Sequence, residues 1–457
     1  MPMAHLYLSA AHKSSGKTTV TTGICAALAA RKLNVRPFKK GPDYIDPMWL
    51  SAAANAPCYN LDFNVQDEAS IRDVFARQSA GGDIAIIEGN KGLYDGMDVE
   101  GSNSNAALAK LLGAPVVLVL DARGMTRGVA PLLQGYRGFD GDVNIAGVIF
   151  NMVGGARQEE KLRQAVERYT DIPVLGAVHK NAEVALVERH LGLMTRIEDS
   201  EADRKIARLG EVTAAGVDLD RLIEIAKTAP APAAPAPLPP VPAPDVTLAV
   251  ARDAAFDFYY PDDLEGLARA GAKLVFFDTL SDTALPGGID GLFIGGGFPE
   301  THIAALAANT ALRGAIKAAI EGGLPTYAEC GGLMYLARSL IWRDERGDMA
   351  GVIPGDAVMH ERPQGRGYVR LRATSAHPWP ENGQNAPFAA HEFHYSSLEN
   401  LDGAPIYAYE VLRGHGIDGK HDGLVMGNLL ATYGHLRDVD GTGWTQRFVN
   451  FVRAHKT

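Results

Sequence analysis

Two short stretches hold side chains able to do chemistry. The first is SAAHKSSGKTT, Ser9 to Thr19. Its end, Gly16-Lys17-Thr18, is the close of a phosphate-binding loop, although Ala11 or a neighbour stands where such a loop normally has its first glycine. Backbone N–H groups and the N-terminus of the following helix bind phosphate oxygens, and Lys17 adds a point charge. A second lysine, Lys13, lies four residues earlier; Ser14, Ser15, Gly16 and Thr19 complete the candidate ATP contacts. Mg²⁺ takes hard oxygen ligands, usually one or two carboxylates beside phosphate and water. Thr18 offers a hydroxyl, and acids follow the next strands: Asp43 and Asp46 in KKGPDYIDP, Glu88 closing DIAIIE, and Asp95 in GLYDG. Thr18 and these acids could hold the metal.

The second stretch is PTYAECGG, Pro325 to Gly332. A cysteine at a sharp strand-to-helix turn among small residues is a nucleophile elbow, and a helix N-terminus favours its thiolate. Upstream, FIGGGFPE (Phe293 to Glu300) is a glycine turn fit to present backbone N–H groups to an oxyanion. Gly296, Gly297 and Gly331 are the expected oxyanion contacts. Cys330 needs a base, and His435 in GNLLATYGHLR is the candidate; His391 and His394 in HEFHY lack the spacing of a HExxH zinc helix.

The elements that position these groups follow from apolar runs. PVVLVLDA and IAGVIFN carry no polar alternation, as expected of strands covered on both faces. Such runs alternate with helix-length segments before residue 228 and recur at Val246–Arg252, Lys273–Asp278, Gly291–Gly295 and Pro325–Glu329. Both halves are therefore α/β, with two doubly wound domains expected, and ligands belong at the carboxyl ends of their strands. Between them, APAPAAPAPLPPVPAP supports neither a helix nor a ladder and favours extended polyproline geometry. The expected division is 1–228, a linker at 229–245, and 246–457.

Composition narrows the function. At 457 residues the chain is too long for one ordinary domain, and 46% apolar with 21% charged residues excludes a disordered or collagen-like chain. The net charge is −10 with no basic stripe, which argues against a nucleic-acid partner. Three cysteines cannot build a disulfide framework. The N-terminus lacks a signal-peptide pattern, and no apolar run reaches ~18 residues, so a cytoplasmic protein without a membrane partner is expected.

KSSGKTT, FKKGPDYIDP, YNLD, EGNKGLYDG, GGGFPE, YAECGGLMYL, HEFHYS and GNLLATYGHL together resemble the cobyrinic acid a,c-diamide synthase family along nearly the whole chain. The first half is similar to the deviant phosphate-loop group that includes dethiobiotin synthetase, the second to the cobyric-type, class I-like glutamine amidotransferase domain. The resemblance implies that Cys330 and His435 release ammonia from glutamine, and that ATP and Mg²⁺ activate the a- and c-acetates of a tetrapyrrole polycarboxylate as acyl phosphates. It also implies Thr18, Asp43 and Glu88 as the metal set and substrate roles for Tyr44, Asp46 and Asp95, while the charge of Lys91 suits a peripheral carboxylate. A homodimer is the assembly considered. Arg437 replaces the acid that triad amidotransferases place two residues after the histidine, so the group orienting His435 is unassigned. Asn90-Lys91 replaces an apolar pair, which keeps sirohaem and sirohydrochlorin as competing substrates. Cobyric acid synthase is a further alternative; a nucleotide-switched ATPase of the partitioning type would have no use for Cys330.

Overall fold

A computed structural model describes residues 3–181, 188–189, 192–379, 386–439 and 442–456. The chain divides into two units, Met1–Pro237 and Leu238–Thr457.

In the first unit the apolar runs become β1 (Ala4–Ala10), β2 (Val35–Lys40), β3 (Tyr59–Leu61), β4 (Ile84–Glu88), β5 (Val116–Asp121), β6 (Ile145–Val153) and β7 (Val174–His179). Helices α1 (Lys17–Ala30), α2 (Ile45–Ala54), α3 (Glu68–Ser79), α4 (Asn105–Leu112), α5 (Val129–Phe139) and α6 (Ala156–Tyr169) connect them. A two-residue pair, β8 (Glu188–Arg189) and β9 (Gly192–Leu193), precedes α7 (Ala202–Gly216) and α8 (Leu219–Ala226). The seven strands are parallel in the order β3-β2-β4-β1-β5-β6-β7. The chain leaves β1 for one side of the sheet and crosses to the other at β5, so the carboxyl end of β1 is the crevice where such sheets bind ligands. Leu6 and Leu8 face one buried layer with Val20 and Ile24 of α1, while Tyr7 faces the other with Phe38 and Ile87. That two-sided burial explains the unbroken apolar strands.

The second unit contains β10 (Val246–Ala251), β11 (Phe256–Phe258), α9 (Pro261–Arg269), β12 (Ala272–Phe277), β13 (Gly291–Ile294), β14 (Gly296–Gly297), α10 (Ile303–Ala308), α11 (Thr310–Glu321), β15 (Thr326–Glu329) and α12 (Gly331–Leu336). It continues with β16 (Ala337–Trp342), β17 (Glu345–Asp348), β18 (Ile353–Met359), β19 (Gly365–Ala373), β20 (Phe388–His394), β21 (Ser396–Glu399), β22 (Ile406–Arg413), β23 (His421–Met426), β24 (Leu429–Thr432) and α13 (Trp444–Ala454). Its main sheet runs β12-β10-β13-β15-β24-β23-β22-β19-β20. The first five strands are parallel, whereas β23, β22, β19 and β20 join antiparallel. The parallel, doubly wound reading thus covers one part of this sheet and the antiparallel strands extend it.

The proline-rich segment carries no helix or strand. Its first half is tied down on the first unit: Ala236 N donates to Asp73 at 2.7 Å, and Arg77 donates to the Ala236 carbonyl at 2.7 Å. Among the described residues no single helix is long and apolar enough to cross a membrane.

Candidate active sites

The loop between β1 and α1 turns on two left-handed residues, Ser14 (φ 60°) and Gly16 (φ 76°). Asn151 at the end of β6 braces it, donating to the Ser15 carbonyl at 3.0 Å, and Ser15 Oγ donates to the His12 carbonyl at 2.8 Å. This bracing leaves Lys13 and Ser14 exposed at the tip and buries Lys17 at the first turn of α1. Burial, the charge of Lys39 and the opposing pull of Glu88, Asp46 and Asp95 bring the Lys17 ammonium down to about 8. Thr19 is half-buried in the same turn.

Thr18 Oγ1 lies between two carboxylates, 2.9 Å from Glu88 Oε1 and 3.1 Å from Asp46 Oδ2. Lys39, buried at the end of β2, contacts Asp46, lies 2.5 Å from Glu88 Oε1 and 3.8 Å from Asp43 Oδ2. Burial opposes its charge, but Asp46, Glu88 and Asp43 outweigh that and hold its ammonium well above the usual lysine range. Asp43 is engaged elsewhere as well: its Oδ1 accepts from Ile45 N and Asp46 N, both at 3.0 Å, and so caps α2. Burial and the neighbouring Asp46 charge push the Asp43 carboxyl up to about 7. The geometry thus gathers Thr18, Glu88 and Asp46, with Asp43 at the same corner, 3.8 Å from Lys39. Glu88 Oε2 is buried without a hydrogen-bond partner. A hydroxyl and two carboxylates, one with an oxygen to spare, fit Mg²⁺ that takes its other ligands from phosphate and water. Among the described residues no three His, Cys, Asp or Glu side chains form a metal cage by themselves.

The neighbouring loops carry the expected substrate groups. Tyr44 is buried, whereas Asp95 and Lys91 are exposed. Asp95 Oδ2 accepts from Gly92 N at 3.1 Å, which shapes the turn around Lys91. Asn90 is a bracing residue: its Oδ1 accepts from Lys91 N at 2.8 Å and from Lys40 Nζ at 3.4 Å. Burial, weighed against Asp62, brings the Lys40 ammonium down to about 8.

In the second unit β15 ends at Glu329 and Cys330 takes φ 46°, ψ −99°, a strained elbow that turns the thiol out before α12 begins. Cys330 N donates to the Thr432 carbonyl at 2.7 Å, tying the elbow to the end of β24, three residues before His435. Asp422 fixes that turn by accepting from Tyr433 N (3.0 Å) and Gly434 N (2.8 Å). His435 exchanges backbone bonds with His391 on β20, at 2.7 and 3.3 Å. Burial works against a charged His435, but the Cys330 thiol and the Glu329 carboxylate outweigh it and raise the imidazole to about 10.

Close backbone approach explains the glycines. A Cβ on Gly296 would lie 2.6 Å from His435 Cε1, and one on Gly331 would lie 3.0 Å from Gly297 N. Gly296 and Gly297 form β14, paired antiparallel with β11, so this turn floors the thiol–imidazole pair. Burial and the charge of His435 lower His391 to about 3, and His394 stacks on Tyr433 at 3.9 Å with its Nδ1 bonded to the Ser396 carbonyl. Arg437 turns away to a buried ion pair with Asp262 at 2.7 Å.

Two family models match this layout: a CobQ/CobB/MinD/ParA nucleotide binding domain over residues 10–193, and a CobB/CobQ-like glutamine amidotransferase domain over residues 247–438. A cobyrinate a,c-diamide synthase of Magnetococcus marinus is 46% identical over 98% of this chain and 97% of its own. Those of Dehalococcoides mccartyi (40%, covering 100% and 99%) and Methanosarcina acetivorans (39%, covering 94% and 92%) are similar over the same extent. The chain belongs to the cobyrinate a,c-diamide synthase family. As a member of that family it is a glutamine-hydrolysing amidoligase, with a nucleotide-binding unit and an amidotransferase unit. Two residues that the sequence expectations do not include lie against the candidate site residues. Lys39 is one, and the KK doublet closing a buried strand is its signal in the sequence. Glu329 passed unread although it adjoins the nucleophile in the quoted motif.

Proposed function

We propose that this chain converts the a- and c-acetate groups of cobyrinate to amides, using glutamine as nitrogen donor and ATP as activator. The observation that carries this reading is the 46% identity, over 98% of the chain, to a cobyrinate a,c-diamide synthase that spans both centres. Cys330 Sγ adds to the side-chain amide carbon of glutamine, and His435 takes the thiol proton and returns it to the departing ammonia. Water then cleaves the thioester to glutamate and restores the thiol. Gly296, Gly297 and Gly331 bring backbone N–H groups to the developing oxyanion.

In the first unit, Lys17 and the loop amides around Ser15 and Gly16 hold the nucleotide phosphates. Thr18, Asp46 and Glu88 would hold Mg²⁺, which when bound neutralises charge on the phosphates. Transfer of the terminal phosphoryl group to an acetate oxygen gives an acyl phosphate; ammonia adds at its carbon and phosphate leaves. This division suits the chemistry, because a carboxylate is a poor electrophile. Lys40 and Lys91 supply positive charge for a polycarboxylate, and Tyr44 and Asp95 stand in the same loops.

The test is incubation of the protein with ATP, glutamine and cobyrinate, read by mass for two successive exchanges of hydroxyl for amine. Sirohaem and sirohydrochlorin run as parallel substrates. Preferred amidation of either of those would move the substrate assignment away from cobyrinate while leaving the reaction intact.

A further inference from the structure

The place where triad amidotransferases keep an acid holds Arg437, which is spent on Asp262. A carboxylate nevertheless reaches His435 from the other direction. Glu329 is 3% exposed, and its Oε2 lies 3.4 Å from His435 Nδ1, an ion-pair contact. Its other oxygen is fully engaged: Oε1 accepts from Tyr327 Oη at 2.5 Å and from Leu436 N at 2.9 Å. The Leu436 amide belongs to the residue next to His435. One carboxylate thus grips the backbone beside the histidine with one oxygen and faces its ring with the other.

We propose that Glu329, the residue immediately before the nucleophile, is the positioning acid of the glutaminase centre: it orients His435 and stabilises the imidazolium formed when Cys330 gives up its proton. This rests on the reading of Cys330 and His435 as nucleophile and base. The logic is that of a third group that fixes the ring and compensates its charge, supplied from the nucleophile's own strand. A contact of 3.4 Å suits this role, since such bonds tighten when substrate enters. Among the described residues, three tyrosines, a second histidine, an aspartate and an arginine do not supply the charge. Tyr259, Tyr327 and Tyr409 are held neutral by burial, and His391 is neutral for the same reason. Burial and the neighbouring Asp262 push the Asp263 carboxyl upward, and Arg437 is matched by Asp262.

The decisive readout is the pH midpoint of Cys330 alkylation by iodoacetamide, followed by peptide mass on the full-length protein. Glu329→Gln keeps shape and an acceptor for Leu436 N but removes the charge. The midpoint should rise by about one pH unit or more. Glutamine-driven turnover should fall about a hundredfold or more with little change in KM, while ammonium-driven synthesis holds. Tyr327→Phe keeps the charge and should leave the midpoint in place. An unmoved midpoint in folded Glu329→Gln overturns the proposal, even if glutamine turnover is lost, and so does an equal shift in Tyr327→Phe. If Glu329→Gln does not fold, Glu329→Asp decides, because withdrawing the charge by one methylene must raise the midpoint measurably. Cys330→Ala is the separate control: if it still uses glutamine, the nucleophile assignment itself fails.

Discussion

Replacing Cys330 with alanine should stop glutamine-dependent amidation and leave synthesis from a high concentration of ammonium salt near the parent rate, because the thiolate serves only ammonia supply. Comparing the two nitrogen sources on one preparation checks this; failure of ammonium to rescue would make Cys330 structural. Lys17→Ala and Glu88→Gln should have the opposite signature and remove synthesis from either source, since activation of the acid precedes nitrogen attack. Loss of several kcal/mol of charge stabilisation corresponds to about a thousandfold in rate. Glu88→Gln has a second expected cost. It leaves the buried Lys39 with less compensating charge, and breaking a buried pair destabilises by about 3–5 kcal/mol, so its melting temperature should drop while that of Cys330→Ala stays close to the parent.

Strand β14 shows how an element constrains chemistry that it does not perform. Gly296→Ala would put a methyl group 2.6 Å from His435 Cε1, and the ring must move. A displacement of this kind costs about a hundredfold, so glutamine turnover should fall by that order while ammonium-driven synthesis is unaffected; parallel assays of both activities decide it. Elements of this kind were legible in part. The buried strands β1, β4 to β7, β10, β13 and β15 announce themselves as largely apolar runs. In contrast, β19 (GRGYVRLRA) and β22 (IYAYEVLR) alternate charged and apolar residues on the antiparallel side of the sheet, and nothing in their neighbourhood resembles the buried core strands. The phosphate loop and the cysteine elbow could be read because each is a contiguous motif. The approach of Asp46 to Thr18 could not, because it depends on α2 starting at Ile45 and drawing Asp43 to its N-terminus. Glu329 escaped for a similar reason: its role depends on Leu436, 107 residues away in sequence.

At the scale of the whole chain, each unit has its own sheet and its own buried layers, and the nucleotide-binding residues all lie before residue 237. Residues 1–237 expressed alone should therefore fold and make amide from ammonium but not from glutamine. The cut belongs after Pro237 rather than at residue 228, because Ala236 is hydrogen-bonded to Asp73 and Arg77 of α3. Yield and melting temperature of the two truncations compare the boundaries, and a 1–228 fragment as stable as 1–237 would count against it.

The lysine among three acids should also set the order in which reactants arrive. With Lys39 against Asp46 and Glu88, the first unit carries an internal counter-ion, so its integrity should not depend on a divalent ion. Mg²⁺ by itself must compete with a tethered ammonium at very high local concentration, whereas Mg²⁺ escorted by nucleotide brings its own phosphate ligands. Chelators should leave the melting temperature unchanged and Mg²⁺ alone should shift it little, while Mg²⁺ with ATP should raise it; a large rise with Mg²⁺ alone would show that the lysine yields its place before the nucleotide enters.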